Sequence, residues 1–184
     1  MDGAATIERV IKTARARQTG PGLRFTIRTG SGHELAVDAD GDVGPRPAEL
    51  LLAAQAGCTA FDVASILGKK RQVVTSYEVA VTGEQRDEPH PHIYGRIDVV
   101  HELTGPELDV AAVRRSIELS ATRYCTATAM FSAGPAEIHH SYVIRRGDGR
   151  ADEAGEVVVT GPHENPGALG TRYRAALPAR EGAA

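Results

Sequence analysis

The chain has 184 residues, 41% hydrophobic and without tryptophan, enough for one domain whose core is Val, Leu, Ile and Ala. Its net charge is −3 with both signs mixed and no basic block, which excludes a partner held by phosphate contacts, so no nucleic acid is expected. No apolar run reads as long enough to enter a membrane, the start lacks a signal-peptide core, and 2 cysteines fit a reducing cytosol, where they are free, catalytic or redox-active rather than a permanent staple.

The opening stretch MDGAATIERVIKTARARQ predicts a helix over residues 6–17, stopped by the turn cluster QTGPG. In LRFTIRTGSGHELAVDAD, Leu23, Phe25 and Ile27 alternate with Arg24, Thr26 and Arg28, TGSG turns the chain, and Leu35 and Val37 alternate again. That pattern is a hairpin with one wet face. After the loop DGDVGPRP, Pro47 suits a first helical turn, and Glu49 sets a negative charge near the positive helix end. The helix PRPAELLLAAQAGCTAFDVASIL runs to about Leu67, with Gly68 as its cap and cations beyond. VTSYEVAVTGEQRDE follows as a strand and PHPHIYGRIDVVHELTG as its antiparallel partner. Pro106 stands near the start of a third helical stretch, PELDVAAVRRSIELSATRYCTATAMF, which Ser132, Gly134 and Pro135 break. AEIHHSYVIRR closes the fold as a strand. From Gly147 the composition turns to Gly, Asp, Glu, Pro and Ala, a loose tail with one short strand candidate, GEVVVTG. Helix, hairpin, helix, hairpin, helix, strand is an α+β order with antiparallel pairing.

Both cysteines sit among small residues. Cys58 has Ala53, Ala54, Ala56, Gly57, Thr59 and Ala60 around it; Cys125 has Ser120, Ala121, Thr122, Thr126, Ala127, Thr128 and Ala129. A disulfide needs α-carbons roughly 4.4–6.8 Å apart, whereas packed helices keep their axes about 8–10 Å apart. Small neighbours let two backbones close that gap, which suits thiols that must touch. A tight helix crossing with two merely buried cysteines stays open beside it, since cysteine is among the most buried residue types. Zinc is the weaker reading and no metal is expected: neither cysteine lies in a C-x-x-C pair, and the histidines of PHPH, VVHE and IHHS are scattered singlets. Adjacent on a strand, His139 and His140 point to opposite faces. Asp62 follows Cys58 on the same helical face, where a carboxylate raises a thiol pKa rather than lowering it.

The runs GPRPAELLLAAQAGCTAFDVASIL, ELSATRYCTATAMF and HHSYVI resemble the OsmC/Ohr family of osmotically inducible and organic-hydroperoxide-resistance proteins, nearest its YhfA-like branch. The resemblance covers about residues 22–146, leaving 1–21 as an N-terminal helical extension and 147–184 as a largely irregular C-terminal extension. It implies an OsmC-like fold and an intertwined homodimer, with antiparallel sheets wrapped around two central cysteine-bearing helices. It also implies a cytoplasmic thiol peroxidase acting on organic hydroperoxides, with no metal, haem or flavin cofactor and an external dithiol as reductant. The matching positions make Cys58 the peroxidatic thiol and Cys125 the resolving thiol. Such a thiol needs a cation beside it. Arg28 is the first choice and Arg24 the second, while Arg123 points elsewhere. The glutamate that holds that arginine in the Ohr branch falls here on Ala48. Glu49 matches the acidic residue of the OsmC and YhfA-like branches instead, turned by about 100° on the helix. Met130 and Phe131, then Phe61 with Leu51 and Leu52, are the residues for an apolar entrance. Two alternatives remain: a redox-sensing or ligand-binding protein with little turnover, which Ala48 favours, and a thiol hydrolase or transferase.

Overall fold

The computed structural model describes residues 10–146 and 152–162. The beginning of the expected first helix and the tail beyond 162 lie outside the described residues. The described residues fall into two compact units, divided after Leu51 inside the long helix α1, Pro47–Lys69.

The first unit holds an antiparallel sheet of β1 (Ala14–Gln18), β2 (Arg24–Thr29) and β3 (Glu34–Asp38) in that order. The β2–β3 hairpin is the one its alternation predicts, with Phe25 opposite Val37 and Ile27 opposite Leu35. The helix predicted over 6–17 is corrected: its described end is strand β1, paired with β2 from Ala14↔Thr29 to Gln18↔Phe25. All five β1 residues are exposed. A helix there would bury no apolar stripe, whereas pairing satisfies the open edge of β2.

In the second unit, β4 (Ser76–Gln85), β5 (Tyr94–Thr104), β6 (Glu137–Arg145) and β7 (Glu153–Thr160) make one sheet in chain order. Strand alternation sends Ile97, Val99, His101 and Leu103 of β5, and Ile138, His140, Tyr142 and Ile144 of β6, to the buried face. The core gathers Val63 and Leu67 of α1 with Leu103, Leu108, Tyr142, Ile144 and two residues of α2 (Val110–Leu119), Val113 and Ile117. β5 and β6 run parallel, an exception to the antiparallel pairing expected. The helical segment between them is the crossover that a parallel pair requires. β6 does not close the sheet, because β7, longer than its GEVVVTG candidate, pairs with it.

Two further expectations change. α1 ends at Lys69 rather than at Gly68, and Arg71 takes the left-handed position, φ 57°, while Gln72 N–H donates to Leu67 C=O at 3.0 Å. And α1, 23 residues long, is by length and composition apolar enough to cross a bilayer, against the expectation that no run is. Its buried residues are nevertheless half polar: Gln55 and Thr59 beside Val63 and Leu67.

Candidate active site

The third helical stretch is not one helix. α2 starts at an N-cap, Asp109, whose carboxylate accepts from Ala111 N–H at 3.0 Å. Its buried Val113, Ser116 and Ile117 continue into Ser120 and Ala121, a helical stripe. Serine and threonine then loosen the helix: Ser116 Oγ donates to Ala112 C=O and Thr122 Oγ1 to Glu118 C=O, both at 2.7 Å. Ser120–Tyr124 form a π-helical turn closed by Cys125 N–H donating to Ser120 C=O at 2.9 Å. Cys125 is extended, φ −69° and ψ 108°, and a new short helix, α3 (Thr126–Ser132), begins after it. The resolving candidate is therefore an N-cap, not a mid-helix residue: its Sγ accepts from Thr128 N–H at 3.4 Å. Cys58 stays inside the unbroken α1.

The two thiols meet. Cys58 Sγ, Cys125 Sγ and a carboxylate oxygen of Asp62 all lie within 4.8 Å of one another, and both cysteines are unbridged. Cys58 is half-buried and Cys125 only 3% exposed. Polar side chains, more than small ones, join the two segments. Gln55 Nε2 donates to Thr128 Oγ1 at 2.8 Å, Thr59 and Ser120 share a hydroxyl bond of 3.2 Å, and Ser120 Oγ donates to Asp62 Oδ2 at 3.2 Å. The small residues expected to bring backbones together around Cys58 lie partly elsewhere: Ala53, Ala54 and Gly57 are exposed, and a methyl added at Gly57 would touch nothing.

Burial pushes the Cys125 thiol up to about 11; hydrogen bonds from Thr128 oppose that, and Cys58 adds to it. Burial also raises the Asp62 carboxyl, with the Ser120 hydroxyl working against it. Tyr77, beneath on β4, is held protonated by its burial and by the charge of Asp62. Its hydroxyl lies 2.7 Å from His101 Nδ1, and the His101 ring stacks on that of His140, centroids 6.2 Å apart. Both imidazoles are fully buried, and burial lowers each to about 3, so they are neutral at pH 7. Two thiols and a carboxylate in this proximity can pass a proton among themselves, and their donor atoms are also close enough to share an ion.

The other site candidates divide by unit. In the first, Glu49 Oε2 accepts from Arg46 N–H at 2.8 Å, a helix-start role. Arg28 is 67% exposed and 3.9 Å from Glu34, and Arg24 is paired with Asp38 and Asp42, each at 3.2 Å. In the second, Leu52 and Phe131 converge on Tyr94. Leu52 and the Tyr94 ring press on Gly83 so closely that a methyl there would come within 2.9 Å of the first and 2.7 Å of the second. Phe131 meets Tyr94 edge-on, centroids 6.2 Å apart. Phe61 and Met130 face solvent, 79% and 69% exposed. Sequence reasoning passes over Gln55 and gives Asp62 no role beyond its charge. Their signal is a polar stripe at Gln55, Cys58 and Asp62 in an otherwise apolar helix.

Comparison with known proteins agrees with the fold. A family model described as OsmC-like protein matches residues 39–141. Protein YhfA of Escherichia coli strain K12 is 41% identical over 124 residues, 67% of this chain and 91% of that one. Among solved structures, a hypothetical protein from Aquifex aeolicus VF5 superposes with a TM-score of 0.66 at 27% identity, covering 74% of this chain and 98% of its own. An organic hydroperoxide resistance protein OsmC from Legionella pneumophila shares the fold, with a TM-score of 0.53, 12% identity and coverage of 72% and 96%.

Proposed function

The chain belongs to the OsmC-like family, and from that membership we propose that it is a thiol peroxidase reducing organic hydroperoxides to alcohols. The observation that carries this reading is the approach of two unbridged thiols, 58 and 125, to within 4.8 Å. The names of fold neighbours as organic hydroperoxide resistance proteins support the substrate class.

Cys58, the more accessible thiol, acts first. Its thiolate attacks the outer peroxide oxygen; an S–O bond forms, the O–O bond breaks, and the alkoxide takes a proton to leave as alcohol. The sulfenic acid then meets Cys125. An S–S bond forms, the S–O bond breaks, and hydroxide leaves with a proton as water; an external dithiol restores both thiols. Cys125 gives up a tightly held proton in that step, and Asp62 lies near enough to take it directly or through one water. Leu52, Phe131 and Tyr94 would receive the alkyl part, with Phe61 and Met130 at its outer edge. Arg28, the less tightly paired of the two arginines, is our choice for the cation that favours the Cys58 thiolate.

We assign the active form to a homodimer in the cytoplasm. On α1 and α3, Leu51 (51%), Phe61 (79%) and Met130 (69%) are exposed, and a second copy would cover such apolar surface. Sedimentation at micromolar concentration should give twice the chain mass; a monomer would refute this assignment.

One observation favours a slower, sensing role: Glu49 is occupied in capping α1 and Ala48 has no carboxylate to hold an arginine. Stopped-flow mixing of the reduced protein with cumene hydroperoxide decides between them. Peroxidase function predicts oxidation of Cys58 at least about 10²-fold faster than free cysteine, the scale of one positioned acid–base group. Oxidation at the rate of free cysteine would refute the peroxidase function.

A further inference from the structure

We propose that the β4–β5 loop is a binding site for a divalent transition-metal ion, held by Glu88, His90 and His92. The donor atoms of these three side chains all lie within 4.8 Å of one another. The two imidazoles meet edge to face, with centroids 4.1 Å apart. All three residues are exposed, so an ion has open access. The sequence reading counts these histidines as scattered singlets, but E-P-H-P-H places a donor at every second position. The chain bends over residues 88–91, and that bend brings the three donors to one side of the loop. Proline at the intervening positions fixes φ and removes backbone freedom that binding would otherwise have to freeze.

The loop is also tied down at both ends. Gln85 Nε2 donates to His92 C=O at 2.6 Å, Arg86 Nε to Pro91 C=O at 2.9 Å, and Arg86 N–H to Ile93 C=O at 3.0 Å. The backbone carrying the donors is thereby held while their side chains stay free to turn inward. Metal–nitrogen bonds of about 2.0–2.1 Å bring donors closer together than this spread, a movement within reach of exposed rotamers. Two imidazoles and one carboxylate form a donor set for zinc, nickel, copper or ferrous iron, with the remaining positions left to solvent or a small ligand. The site uses no residue of the thiol pair, so it stands or falls independently of the peroxidase reading.

Titration calorimetry of tag-free full chain with ZnCl2 and with NiCl2 tests it. A Cys58→Ser/Cys125→Ser background keeps the thiols from taking the ion. The proposal expects saturable binding of one ion per chain in that background. His90→Ala and His92→Ala should each weaken it about ten-fold or more, and Glu88→Gln by less. Circular dichroism confirms that the loop variants remain folded, as exposed positions allow. No saturable binding up to millimolar ion, or binding unchanged in the His90→Ala/His92→Ala variant, would overturn it.

Discussion

Cys125 keeps its proton because it is 3% exposed, and a protonated thiol is a poor nucleophile until a base relieves it. That places the demand on Asp62. Asp62→Asn keeps the shape and removes the proton acceptor. It should slow disulfide formation by about 10²-fold and remove the pH dependence that Asp62 contributes, while Asp62→Glu restores part of the rate. An unchanged rate and profile in quenched-flow alkylation would show that the carboxylate carries no proton. Iodoacetamide at pH 7 should label Cys58 well before Cys125, and peptide mass spectrometry reads the ratio. In the sequence, the cysteine pair is legible because cysteine is scarce and the flanking motifs are specific. Asp62 and Gln55 are legible as the polar stripe of α1. Tyr77, Tyr94 and His101 are not, since they reach the site from strands whose placement only the tertiary fold decides.

The regular elements follow their periods: the β2–β3 hairpin, α1, and the antiparallel β4–β5 pair all lie where alternation or helical spacing puts them. The breaks do not. Nothing periodic announces that the Ser/Thr-rich run after Leu119 unwinds to a π-helical turn, because hydroxyls bonding back to carbonyls compete with the helix locally. β1 is likewise settled by the edge it pairs with, and the parallel β5–β6 register by the crossover between them. The break gives Cys125 a second duty as the cap of α3. A serine oxygen can replace that sulfur and an alanine cannot. Cys125→Ala should therefore unfold about 1 kcal/mol more easily than Cys125→Ser in a urea titration. Equal midpoints would deny the cap.

For the whole molecule, the buried His101–His140 stack sets a limit on acid tolerance. Among the described residues, His101 Nε2 and both nitrogens of His140 have no hydrogen-bond partner, and neither ring can be charged without a large desolvation cost. Folded values near 3 lie below the ordinary value of 6.5. Between those limits the unfolded chain binds protons that the folded chain refuses. Stability is therefore full above about pH 6.5 and falls as the pH drops, by about 1.4 kcal/mol per pH unit for each histidine. His140→Leu should halve that slope in melts between pH 7 and 5; a slope equal to the parent's would exclude His140 as a cause. The central claim is that sulfurs 58 and 125 react with each other, and product mapping tests it most directly. After one equivalent of cumene hydroperoxide, non-reducing peptide mass spectrometry should find a Cys58–Cys125 crosslink two hydrogens lighter than the thiol pair. With Cys125→Ser, a dimedone adduct should sit on Cys58 instead. Cys58 oxidised with Cys125 left as a free thiol in the parent protein would contradict the account.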